Sequence, residues 1–239
     1  MEEKLSGIVL GGISFSENDK ILNVFTLEKG VISAKIKGVK KAGAKLKFAS
    51  EPFCFAEFIF SNKGNMRTVI GASLIDSFYP VREDIVKYFC AGTVLEFIKK
   101  FYKENIVSTE TFLLTVKTLE KIAYGEYNPK SALITFLVTA LNLAGYALDE
   151  SGRCVCKKPI VGKVFFDYRR GAFFCQNCFD GVGREINYST YDAVQKASAG
   201  ELVDSANGVD NALKLLEYYL QNKAEEKLNS LTELIKICG

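Results

Sequence analysis

The chain has 239 residues, of which 48% are hydrophobic and 25% are charged, as is typical of a globular protein. It contains neither histidine nor tryptophan. The absence of histidine excludes Ser-His-Asp and Cys-His nucleophile pairs and every metal site with an imidazole ligand. Most common hydrolase mechanisms are therefore excluded before any motif is considered.

The net charge of +3 is distributed unevenly along the chain. Residues 1–80 and 154–188 each carry a net charge of +3, whereas residues 189–239 carry −3. The segment Lys29–Ser50 contains seven lysines and no acidic residue, and we call it the acid-free segment. Such a segment is often a solvated loop, but beside strands it favours a surface that binds a polyanion.

Residues 5–79 contain short alternating segments separated by turn-like sequences, a pattern that predicts strands. The predicted strands are Ser6–Ser14, Lys20–Leu27, Val31–Gly38, Phe53–Phe60 and Thr68–Phe78. Five short strands suit a small closed barrel, and the OB-fold is the barrel of this size most associated with nucleic acids. In the third strand, apolar residues alternate with Ser33, Lys35 and Lys37, which predicts one core face and one basic face.

From Arg82 onward the hydrophobic period becomes helical. Helices are predicted from Ile85 to near Asn105, from Ser108 or Thr109 to about Gly125, from Pro129 to Gly145, and over Ser189–Ala199, Val209–Leu220 and Lys227–Ile237. The uncharged stretch Ser131–Leu148 carries a polar stripe, so we expect a buried helix rather than a membrane span. The predicted fold is α+β, with an OB-type barrel domain at 1–80 and an α-helical domain at 81–239.

Four of the seven cysteines form two close pairs, Cys154-Val-Cys156 and Cys175-Gln-Asn-Cys178. The beginning of the sequence resembles no signal peptide, so we expect a reducing cytoplasm, where clustered cysteines more often bind metal than form disulfides. The pattern predicts a zinc-finger-like insert at 152–180 that holds one structural Zn²⁺, with a hairpin between the pairs. Buried free thiols and a redox pair are the alternatives, because C-x-C is shorter than the usual spacing.

Four cysteines close the coordination shell of zinc, which favours a structural over a catalytic site. Cys54, Cys90 and Cys238 lie in apolar segments and are expected to have no chemistry. The four phenylalanines of the fourth strand are expected to pack in the core rather than to stack on bases.

The order of barrel, helical body and four-cysteine insert resembles the RecO recombination mediators of bacterial DNA repair. The resemblance begins with Phe15–Ile21, similar to the family's acidic turn into the second strand, and continues through Lys37–Lys41, similar to its basic exit from the third strand. Gly145-Tyr146 leading into Cys154 and the closing segment Leu228–Leu231 are also similar to the family.

The resemblance implies a non-enzymatic, nucleoid-associated protein that binds single- and double-stranded DNA and anneals complementary strands. It also implies work with RecR, contact with the tail of single-stranded-DNA-binding protein (SSB), and help to RecA in replacing SSB on DNA. The residues expected to contact DNA are Lys35, Lys37, Lys40, Lys41, Lys45, Lys47, Arg169 and Arg170. A zinc-stabilised OB-fold protein that binds RNA, and a zinc-dependent or thiol-redox enzyme, remain alternatives at this point.

Overall fold

The computed structural model describes residues 2–62, 66–149, 151–201, 203 and 206–238, and its fold is α+β as predicted. Five strands form the N-terminal part. They are β1 (Glu2–Ser14), β2 (Lys20–Thr26), β3 (Gly30–Ile36), β4 (Phe55–Ser61) and β5 (Arg67–Asp76). All five predicted strands are confirmed, and β1 begins earlier than expected because its first residues pair with the end of β4.

The five strands close into a barrel in the order β1-β2-β3-β5-β4. Neighbouring strands are antiparallel except β3 and β5, and β4 closes the barrel on β1. Alternation explains the core: Ile32, Ala34 and Ile36 of β3 point inward and are fully or almost fully buried. Phe58 and Phe60 of β4 are also buried in this core, as predicted.

Six helices follow the barrel among the described residues. They are α1 (Ile85–Phe101), α2 (Thr109–Tyr124), α3 (Pro129–Leu143), α4 (Tyr188–Ser198), α5 (Ala206–Lys223) and α6 (Asn229–Cys238). Helix α1 ends before the predicted limit because Asn105 adopts a positive φ of 62° and its backbone N–H donates to the carbonyl of Val31 at 2.9 Å. The chain thus leaves the helix in order to pair with β3.

A small three-stranded sheet lies between α3 and α4 in the sequence. Its strands are β6 (Val164–Asp167), β7 (Ala172–Cys175) and β8 (Arg184–Ile186), in the order β7-β6-β8. The predicted hairpin corresponds to β6 and β7. Strand β8 was not predicted, because its three residues are exposed or half-buried and show no apolar alternation.

The contacts divide the chain into two compact units. The barrel unit comprises Met1–Glu83 and Leu95–Leu119, and the helical unit comprises Asp84–Val94 and Glu120–Gly239. Helix α3 is largely buried in the helical unit, as expected from its sequence. Within the described part of the chain, no helix combines the length and the hydrophobicity that a membrane span requires.

Candidate nucleic-acid interface and metal centre

The acid-free segment begins at the end of the β2–β3 turn, forms β3 and continues as a series of turns on the barrel unit. Five of its lysines are exposed: Lys40, which donates a hydrogen bond to a backbone carbonyl, and a group of four at positions 37, 41, 45 and 47. No ion pair reaches any of the four within the residues that the structure describes. Their charges are therefore uncompensated, as a surface for phosphates requires.

Two other predicted residues, Lys35 and Lys40, are engaged with the turn between β1 and β2. Lys35 Nζ lies 2.9 Å from the Asp19 carboxylate and 4.5 Å from the centroid of the Phe15 ring. Lys40 Nζ donates a hydrogen bond to the carbonyl of Ser16 at 3.1 Å. Both lysines thus connect the acid-free segment to the β1–β2 turn.

Asp19 organises this connection. Its carboxylate accepts a hydrogen bond from the backbone N–H of Gly38 at 2.9 Å in addition to its ion pair with Lys35. The Gly38 hydrogen bond, followed by the contact with Lys35, lowers the pKa of Asp19 to about 2. Asp19 therefore remains a carboxylate across the neutral range and holds the two loops together.

An open cleft of about 540 Å³ lies between these two loops. The residues that line it come from both loops. They are Ser16, Glu17, Asn18, Asp19, Lys37, Gly38 and Lys41. Two of the four uncompensated lysines therefore face a preformed depression in the barrel surface.

The two predicted arginines lie in the β6–β7 connection of the helical unit and differ in their surroundings. Arg170 contacts the carboxylates of Asp167 at 3.5 Å and Asp180 at 2.8 Å, so its charge is already balanced. Arg169 is exposed and stacks on Tyr168, with 5.9 Å between the guanidinium carbon and the ring centroid. Of these two arginines, only Arg169 therefore has a charge that is available to bind a phosphate.

A further arginine, Arg184, has an arrangement similar to that of Arg169. Its guanidinium lies 4.4 Å from the ring centroid of Tyr218, and Tyr218 packs edge-to-face against Tyr168. Sequence reasoning missed Arg184 because its strand, β8, was not predicted. The two arginines and two tyrosines form a continuous polar-aromatic surface on the helical unit.

The four cysteines Cys154, Cys156, Cys175 and Cys178 converge in the helical unit. Their sulfur atoms all lie within 4.8 Å of one another. A tetrahedral Zn²⁺ site with sulfur ligands at about 2.3 Å places its ligands about 3.8 Å apart, which is close to this arrangement. The donor set therefore fits a tetrahedral ion that prefers thiolates, and all four predicted ligands meet at one point.

The local backbone explains how the short C-x-C pair reaches this point. The N–H of Lys157 donates to the carbonyl of Cys154 at 2.7 Å, and the N–H of Cys154 donates to the carbonyl of Lys158 at 3.0 Å. Lys157 has a positive φ of 64°, which reverses the chain directly after Cys156. A tight turn thus brings both sulfurs to one side despite the missing residue.

Backbone N–H groups also stabilise a thiolate within the cluster. Burial alone would raise the pKa of Cys154, but N–H groups of Cys156 and Cys175 outweigh it and lower the pKa to about 7. The N–H of Cys175 lies 3.4 Å from Sγ of Cys154. The pKa of Cys178 is raised to about 12, mainly because its thiol shares a hydrogen bond with Cys154. One thiolate at this cluster is thus stabilised by the chain itself, as suits a metal ligand.

Comparison with known proteins assigns the family. The family model "Recombination protein O N terminal" matches residues 1–78, and "Recombination protein O C terminal" matches residues 82–232. The chain belongs to the RecO family. Both parts of the RecO sequence are therefore present here, in the order that the sequence analysis predicted.

Individual RecO relatives match over most of their length. The DNA repair protein RecO of Acetivibrio thermocellus is 24% identical over 238 residues, covering 95% of this chain and 94% of the relative. That of Desulforamulus reducens is 28% identical, covering 95% and 91%. That of Anaeromyxobacter sp. (strain K) is 29% identical over 85% of this chain and 82% of the relative. Each of these three matches covers more than four fifths of both sequences.

One exposed aromatic residue of this RecO chain, Phe15, begins the segment that resembles the family but was not among the residues predicted to bind DNA. Phe15 follows β1 directly and is 55% exposed. A phenylalanine at a strand end usually continues the apolar pattern of the core, so its sequence position carries no signal. Only its tertiary neighbour Lys35, whose Nζ lies 4.5 Å from the ring centroid, indicates that it belongs to the basic surface.

Proposed function

We propose that this chain is a recombination mediator that binds single- and double-stranded DNA and anneals complementary strands without acting as an enzyme. The observation that carries the proposal is the group of four exposed, uncompensated lysines in the acid-free segment. Lysine is a flexible point charge, so it holds phosphates without fixing them in one geometry. Such a surface lets a strand move while it searches for its complement.

Membership of the RecO family supports the remaining parts of this role. The mediator works with RecR, contacts the tail of SSB and helps RecA to replace SSB on DNA. Arg169 and Arg184 form a second candidate DNA-contact surface, on the helical unit itself. One Zn²⁺ per chain, held by the four clustered cysteines, stabilises the small sheet that contains Arg184 and is joined at its β6–β7 connection by Arg169.

Charge removal tests the DNA-binding surface. Each phosphate contact to single-stranded DNA contributes about −0.7 to the slope of log K against log salt. We expect the variant Lys37→Gln/Lys41→Gln/Lys45→Gln to lower the affinity for single-stranded DNA more than tenfold at low salt. The magnitude of the salt slope should fall by about 2, and annealing of complementary oligonucleotides without ATP should slow in parallel. Fluorescence anisotropy in a salt titration measures the first two quantities.

A matched control removes the same amount of charge elsewhere. Lys117, Lys121 and Lys227 are also exposed, but they lie outside the acid-free segment. Their triple Gln variant should keep the salt slope and the annealing rate of the wild type. Equal behaviour of the two triple variants would show that the lysines act only through net charge and would contradict the assigned surface.

A stronger affinity for structured RNA than for DNA would favour the RNA-binding alternative.

A further inference from the structure

We propose that Phe15 is a base-stacking residue, which binds an unpaired base while Lys37 and Lys41 contact the adjoining phosphates. This inference rests on the proposed function, because it assumes that the acid-free segment binds single-stranded nucleic acid. It adds the residue that distinguishes single strands from duplexes at that surface.

The position of the Phe15 ring is the first observation. Its side chain is 55% exposed, so it contributes little to the barrel core. Single exposed apolar residues are common and need no explanation by themselves. Phe15, however, is held in place: its backbone N–H donates to the carbonyl of Asp19 at 3.0 Å, and Lys35 Nζ lies 4.5 Å from its ring centroid.

Preorganisation of the ring makes stacking favourable. Lys35 is fixed by its ion pair with Asp19 at 2.9 Å, and it covers one face of the ring. The ring therefore loses little conformational freedom when a base covers its exposed surface. Stacking of a base on an aromatic side chain is sequence-tolerant, because every base has a π-face.

The neighbourhood of the ring supplies the phosphate contacts. Phe15 immediately precedes the turn 16–19, and this turn forms one wall of the 540 Å³ cleft. Lys37 and Lys41 line the same cleft, and neither has an ion pair within the described residues. Lys37 directly follows Ile36, the last residue of β3. A base on Phe15 and phosphates in the cleft are thus compatible with one strand of DNA.

The other aromatic residues of the barrel are poorer candidates. Phe53, Phe58 and Phe60 are buried and would have to leave the core to meet a base. The half-buried Phe48 packs against that core, and Phe55 packs edge-to-face on Phe112. In a duplex, the faces of each base are already covered by neighbouring bases. The Phe15 ring therefore stabilises complexes with unpaired strands selectively, whereas lysine–phosphate contacts serve both forms.

Truncation of the ring is the first test. With the full-length protein, we expect Phe15→Ala to lower the affinity for a dT oligonucleotide between about fivefold and about a hundredfold, with duplex affinity within twofold of wild type. The salt slope should not change, because no charge is lost. Tyr79→Ala is the matched control, since Tyr79 is 59% exposed in the same unit and no described cation stacks on its ring.

The absence of tryptophan from the chain permits a direct second test. Phe15→Trp preserves an aromatic ring and introduces the only tryptophan, so its fluorescence reports on this position alone. We expect quenching when the dT oligonucleotide binds, and none with an abasic oligonucleotide of the same length and phosphate number. Tyr79→Trp should show no quenching with either probe.

The results separate this inference from the function on which it rests. If the lysine variant loses affinity while Phe15→Ala and Phe15→Trp show no effect, stacking is wrong and the basic surface stands. If Phe15→Ala weakens single-stranded and duplex binding equally, or lowers the salt slope, the ring only positions Lys35 and the inference is wrong. If the triple lysine variant and Phe15→Ala both bind DNA with wild-type affinity, the proposed function is wrong as well.

Discussion

At the scale of single residues, glycine and aspartate positions show how the barrel unit is held together. Asp19 joins the β1–β2 turn to the residues after β3 through Gly38 and Lys35. Gly30 permits the β2–β3 turn, because its φ is 67° and a Cβ atom there would lie 2.0 Å from the carbonyl oxygen of Ile106. Gly43 also has a positive φ, of 73°, but nothing lies within 4 Å of its added Cβ.

The two glycines give a matched pair for a stability measurement. Gly43→Ala adds only the strain of a left-handed backbone at a non-glycine residue, so we expect a loss of about 1 kcal/mol in the free energy of unfolding. Gly30→Ala adds a clash with backbone that cannot move cheaply, and we expect a loss of at least about 3 kcal/mol. Urea unfolding of both variants measures the difference. Equal losses would mean that the Ile106 carbonyl moves away without cost.

At the scale of elements, the three-stranded sheet β6–β8 is the least self-sufficient part of the fold. Its strands have four, four and three residues. Stacking of Phe165 on Phe179 at 4.1 Å and the buried Phe166 and Phe173 contribute packing, but sheets this small are marginal alone. The cysteine cluster joins the end of β7 to the turn at Cys154, because the backbone N–H of Cys175 lies 3.4 Å from Sγ of Cys154. This contact ties the sheet to the segment that precedes it.

Removal of one ligand tests the role of the cluster. We expect Cys175→Ser to reduce the zinc content from about one ion per chain to near zero. The loss of the metal should lower Tm by several degrees, since about 1 kcal/mol corresponds to roughly 2–4 °C in a chain of this size. Metal analysis and thermal unfolding measure the two effects. Cys238→Ser, outside the cluster, should retain the metal, and a wild-type protein purified without zinc and equally stable would contradict the structural role.

At the scale of the whole molecule, charge is unevenly distributed along the chain, and the proposed DNA-binding surface lies in a basic segment. Basic charge is concentrated in the acid-free segment and in the cysteine insert, whereas residues 189–239 are acidic. The overall value of +3 conceals this separation. The chain also lacks histidine, the side chain whose ordinary pKa lies between 6 and 7.

A pH profile follows from that composition. At constant ionic strength, we expect the affinity for single-stranded DNA to change less than twofold between pH 6 and pH 8. Asp19, with its pKa lowered to about 2, stays ionised throughout, so the β1–β2 turn keeps its contacts. Cys154, with a pKa lowered to about 7, belongs to the helical unit rather than to the acid-free segment. Anisotropy titrations measure the profile, and a steep fall in affinity over this range would indicate a titrating group in the interface.

Local patterns in the sequence determined the main elements and the cysteine cluster. The alternation of Ile32, Ala34 and Ile36 with polar residues predicted both the strand and its buried face, because a strand has a period of two. The two cysteine pairs predicted one cluster, because zinc requires four soft donors. The end of α1 and strand β8 escaped prediction, since Asn105 is held by a remote strand and β8 has no apolar period of its own.

Tertiary structure decided which charged and aromatic residues are available for binding. The sequence pattern predicted that Lys35 and Arg170 contact DNA, but in the folded protein a carboxylate lies against each of them. It left Lys37 and Lys41 uncompensated beside a cleft, and it exposed Phe15 next to them. Ion pairing and exposure depend on residues that are distant in sequence. The pattern of lysines could therefore indicate a surface for a polyanion, but only the fold determined which lysines belong to it.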